Sequence, residues 1–170
     1  MRRQWVRKWH PMCDRTHESN HQPIDMNAID DKCITACNSL LRGELSAIET
    51  YAQAIRKYSD LPVAEKLQEF RGDHIAAAQL LAQNVREMGG KPETDSGGWG
   101  EFANLVQGAA NLFGEGSAIE SLQKGEQFGR KDYERALEDE DIMPSCKTMI
   151  REQLLPPTIR HINELETLEG

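Results

Sequence analysis

Two glutamates and two histidines stand where this chain should be apolar. Glu44, His74, Glu126 and His161 each interrupt a run of apolar residues spaced by threes and fours, the spacing that builds one face of a helix. A side chain on such a face points into a core, where an unpaired charge costs several kcal/mol. A chain that accepts this on every helix must bring the groups together. Two carboxylates and two imidazoles converging from separate helices suit a divalent cation such as Fe, Mn or Zn. Ionised Glu44 and Glu126 with neutral His74 and His161 sum to −2, which one such ion cancels. The same groups also build a metal-free network in which each histidine is protonated and paired with a glutamate.

The quartet belongs to an internal repeat. Leu40, Arg42, Gly43, Glu44, Tyr51, Ala54 and Ile55 return 82 positions later as Leu122, Lys124, Gly125, Glu126, Tyr133, Ala136 and Leu137. A weaker echo follows, in which Leu67, His74, Ile75 and Leu81 return 87 positions later as Leu154, His161, Ile162 and Leu168. Two related helical hairpins are implied. Tyr51 and Tyr133, seven residues after each Glu, stay on the buried faces, so their hydroxyls are expected to hydrogen-bond at a bundle end or around the site. Dinuclear carboxylate bundles carry a second Glu three residues before each His, and this chain has Arg71 and Thr158 there. One ion is therefore favoured over a pair of irons, with Arg71 beside the site and Glu164, one turn after His161, as the extra carboxylate.

The elements that must position these groups follow from the same periodicity. Cys33, Cys37, Leu41, Glu44, Ile48, Tyr51, Ile55 and Tyr58 mark one long helix over about 27–59. A second opens at Asp60 or Leu61 with Pro62 in its first turn and closes at Gly89 and Gly90; its face is Val63, Leu67, Phe70, His74, Ala77, Leu81, Val85 and Met88. A Gly-, Ser- and Pro-rich stretch, 91–100, then leads to a short amphipathic helix over 101–113. A third long helix starts at a capping box, Ser117 to Glu120, and ends at the acidic turn Glu138–Asp141. The fourth starts near Pro144 and carries Cys146, Ile150, Leu154, Pro157, His161, Leu165 and Leu168; Pro156 and Pro157 predict a kink just before His161. The fold class is all-α, two hairpins joined by one long crossover that holds a short helix, which is the ferritin-like connection.

A formal net charge of −8 over 170 residues argues against a sequence-independent grip on nucleic acid. No apolar run reaches the length that crosses a bilayer, and nothing near the start looks like a secretory signal, so no membrane partner and a cytoplasmic location are expected. Cys13, Cys33, Cys37 and Cys146 form no CxxC pair and are read as reduced, with Cys33 and Cys37 as small apolar core residues. Residues 1–25 are basic, lack helical periodicity and read as a disordered tail ahead of a single domain over 26–170; Met26 would serve as an alternative start. His10, Cys13, His17 and His21 in that tail match no standard zinc spacing. There is no nucleophile with a partnering base, phosphate loop or dinucleotide fingerprint.

The chain resembles the small bacterial ferritin-like four-helix-bundle proteins grouped as a domain of unknown function. The resemblance covers about 30–168 and is carried by Asn38 to Glu44, Asp73-His74, Gly89-Gly90, the Ser96 to Gly100 turn, Gly125-Glu126, Lys131 to Tyr133 and His161-Ile162. It implies a ferritin-like bundle and no established activity. The wider superfamily includes iron-oxidising and peroxide-reducing members with two irons, and Arg71 and Thr158 depart from their motif. Iron handling or oxidative-stress protection is the leading expectation. Its rival is a metal-free structural or interaction protein, a candidate dimer, whose bundle surface or Trp99 to Phe113 segment binds a partner.

Overall fold

A computed structural model describes residues 26–58, 61–97 and 115–168. The expected tail over 1–25 and the short crossover helix with Trp99 lie outside the described residues. Every regular element among those described is helical. Helix α1 spans Met26–Lys57, α2 Val63–Glu87 and α3 Glu115–Glu138. The last rod consists of α4, Pro144–Met149, a π-helical stretch Ile150–Leu154, and α5, Leu155–Leu168. No described helix is long and apolar enough to cross a membrane.

The turns explain the pairing. Pro62 caps the start of α2, where a missing N–H is harmless. At its end Gly89 takes φ of +80°, the Gly89 N–H bonds Arg86 O and the Gly90 N–H bonds Val85 O, both at 2.9 Å. These two bonds close a Schellman motif. Gly90 is there for space, since a Cβ would sit 2.8 Å from Ile34. Beyond it, the Asn38 side chain holds Lys91 O and Glu93 N–H at 3.0 Å each and ties the departing chain to α1. Helix α3 begins at Glu115, two residues ahead of the expected cap at Ser117, so Ser117 lies within the first turn.

The last rod corrects one expectation. Instead of a simple kink, five residues widen into a π turn, with the Leu155 N–H bonded to Ile150 O. Pro156 and Pro157 have no N–H to give and their rings crowd the carbonyls four residues back. The buried positions also demand a wide turn. Cys146, Ile150, Leu154 and Thr158 are separated by three successive steps of four, and each such step drifts roughly 40° around a regular α-helix. The π turn absorbs that drift, which buries Thr158 and leaves Pro157 on the flank.

The core has two apolar clusters. One gathers Cys33, Cys37, Leu41, Leu81, Val85, Cys146 and Ile150; the other Tyr51, Leu67, Phe70, Ile119, Leu122 and Leu165. Between them lie Glu44, His74, Glu126 and His161, all at most 6% exposed.

Candidate metal centre

Each long element contributes one member of this polar layer: Glu44 from α1, His74 from α2, Glu126 from α3 and His161 from α5. The layer converges on one atom. Glu126 Oε1 lies 2.9 Å from His74 Nε2 and 3.1 Å from His161 Nδ1, and it accepts the Tyr51 hydroxyl at 2.6 Å. The second oxygen of the same carboxylate, Glu126 Oε2, is buried with no hydrogen-bond partner among the described residues. Such orphans are rare in native interiors and call for an explanation.

The far nitrogens are anchored too. His74 Nδ1 lies 2.8 Å from Glu44 Oε2, and His161 Nε2 lies 3.0 Å from Asp73 Oδ2. Glu44 in turn accepts the Tyr133 hydroxyl, and Asp73 pairs with Arg160. The repeat is therefore cross-wired, since Tyr51 of the first copy serves Glu126 of the second while Tyr133 of the second serves Glu44 of the first. Phe70 packs against His161 with ring centres 4.4 Å apart and the rings tilted by 32°.

Protonation follows from this crowding. Burial pulls the His74 pKa down, but the charges of Glu126 and Glu44 and their hydrogen bonds outweigh it and lift it to about 10. Burial pushes Glu126 up, while the charge of His74 and bonds from both histidines outweigh that and hold it at about 2. Tyr51 and Tyr133 are raised well above 10, first by burial and then by the neighbouring carboxylates, so both remain protonated donors.

A donor atom from each of His74, Glu126 and His161 lies within 4.8 Å of the other two, and this group could hold a metal ion. Glu44 stands one step behind, on the opposite nitrogen of His74. With a proton on each anchored nitrogen, His74 Nε2 and His161 Nδ1 would both turn lone pairs toward an anionic oxygen. Two extra protons relieve that repulsion, and so does one divalent cation of equal charge.

The surrounding candidates separate. Tyr51 and Tyr133 bond the layer directly. Arg71 turns away to donate to Ile48 O at 3.3 Å. Glu164 faces outward to Lys66 and Arg160. Thr158 spends its hydroxyl on Leu154 O. Asp73 is a partner that the periodicity does not reveal, because it lies beside the α2 stripe; its only sequence signal is its place next to His74. A cleft of about 330 Å³, lined by Asp73, His74, Leu80, Leu154, Thr158 and His161 among others, opens on the layer between α2 and the last rod.

Residues 32–139 match the family described as Domain of unknown function (DUF2383). The chain belongs to that family. The match takes in Glu44, Asp73, His74 and Glu126 and ends before the rod that carries His161. No curated protein and no solved structure matches the chain.

Proposed function

We propose that this protein is a cytoplasmic ferritin-like bundle that holds one divalent cation at its centre, through His74 Nε2, Glu126 and His161 Nδ1, and serves iron handling or protection against oxidative stress. The observation that carries the reading is the convergence of two imidazole nitrogens on one oxygen of a carboxylate whose other oxygen is buried and unpartnered. Glu44 and Asp73 act on the far nitrogens, fixing tautomer and ring orientation as carboxylates do behind metal-bound histidines. One ion is favoured over two because Arg71 and Thr158 direct their polar atoms to backbone carbonyls and offer no bridging carboxylate. A bound redox-capable ion would supply electron transfer, while the cleft beside His74 and His161 admits small solutes and the two apolar clusters keep bulk water out.

Metal analysis of protein purified without a histidine tag tests this. After incubation with Fe(II), Mn(II) or Zn(II) and desalting, the native chain should retain close to one ion, and Glu126→Gln should retain far less. Substoichiometric metal that does not change on addition of any of these ions overturns the proposal in favour of the charge-paired, metal-free layer.

A further inference from the structure

The apolar cluster on the α4 side of the polar layer contains three thiols that the proposed cation does not use. Cys33, Cys37 and Cys146 are all at most 1% exposed. The Cys37 and Cys146 thiols donate to the same acceptor, Asn84 Oδ1, at 3.5 and 3.4 Å, although they are far apart in sequence and lie on different rods. The sulfur of Cys33 also accepts the Met143 N–H at 3.0 Å and donates to Asp141 O at 3.8 Å. Asn84 thus gathers one thiol from α1 and one from α4, while the loop before α4 holds the third.

We infer that Cys37 and Cys146 form a redox-active dithiol, oxidised by hydrogen peroxide to a disulfide that joins α1 to the last rod. Cys37 and Cys146 meet at one acceptor from two different rods, so whichever thiol is oxidised first has the other placed to resolve it. One of the two, deprotonated, attacks a peroxide oxygen, breaking the O–O bond and releasing hydroxide to leave a sulfenic acid. The other thiol then attacks that sulfur; the S–S bond forms, the S–O bond breaks and water departs with the proton of the second thiol. Two thiols lose two hydrogens, and one peroxide becomes two waters. This inference is independent of the cation, because no sulfur is among the atoms of the metal centre.

The test treats reduced, full-length native protein with stoichiometric hydrogen peroxide under folding conditions, blocks remaining thiols with an alkylating agent and maps the cysteine peptides by mass spectrometry. The expected product is a crosslink between the Cys37 and Cys146 peptides that a thiol reductant removes. In Cys37→Ser or in Cys146→Ser the expected product is a sulfenic acid on the remaining thiol of the pair, trapped by dimedone. Two results overturn the inference: Cys146 remaining alkylatable throughout while the urea-unfolded chain oxidises, or a crosslink that pairs Cys146 with Cys33 or Cys13 instead.

Discussion

Glu126 Oε1 accepts the Tyr51 hydroxyl and faces an imidazole nitrogen from each of two helices, so the behaviour of the layer is set at this atom. Removing the hydroxyl leaves a buried carboxylate short of a donor. Tyr51→Phe should therefore cost about 1.5–3 kcal/mol in urea unfolding of the metal-free protein, with Tyr133→Phe close behind through Glu44; a loss below about 0.5 kcal/mol would show the cross-wiring to be idle. Asp73 acts at one remove. Asp73→Asn should weaken metal binding about 10–100-fold in a chelator competition, since the neutral amide no longer orients His161 or fixes the Nε2 proton. The quartet was legible as breaks in the apolar stripes, whereas Asp73 was not, because its partner His161 arrives from 88 residues away and no local period announces it.

The pH response also belongs to single residues. Without metal, His74 has its pKa raised from 6.5 to about 10, so its stabilisation is full below pH 6.5 and is lost as pH rises through 10. Glu126 has its pKa lowered from 4.5 to about 2, so its stabilisation is full above pH 4.5 and is lost as pH falls through 2. The contribution of this pair should be greatest between pH 4.5 and 6.5. A cation competes with the protons, so the rise in melting temperature on adding metal should instead keep growing as pH rises from about 5 toward the His74 pKa of about 10. Melting curves that track pH identically with and without chelator would contradict this.

At the scale of elements, geometry comes from turns and from one widened stretch of helix. Gly89 has open space around its missing Cβ but a φ of +80°, so Gly89→Ala should cost about 1–2 kcal/mol, all of it conformational. Chemical denaturation measures it, and an unchanged midpoint would mean that the helix end is not fixed by this cap. The long helices and their bounds were readable from periodicity to within a few residues, because each apolar stripe is long and unbroken except by the quartet. The π turn was not foreseen. Two prolines signal lost hydrogen bonds, yet choosing a widened turn over a kink needs the packing partners of Cys146, Ile150 and Leu154, which only tertiary structure supplies.

For the molecule as a whole, the polar layer sits between two apolar clusters, and ligand binding to it should stabilise both together. A cation at 100 times its Kd adds about 2.7 kcal/mol to unfolding, which should appear as one shifted transition rather than two. The net charge of −8 favours cation capture, so association should slow as ionic strength rises. The most direct measurement is anomalous scattering from crystals grown with Zn(II) or Mn(II). The account predicts one strong peak within bonding distance of His74 Nε2, His161 Nδ1 and a Glu126 oxygen. Peaks confined to surface carboxylates, with His74 and His161 still hydrogen-bonded to Glu126, would contradict it.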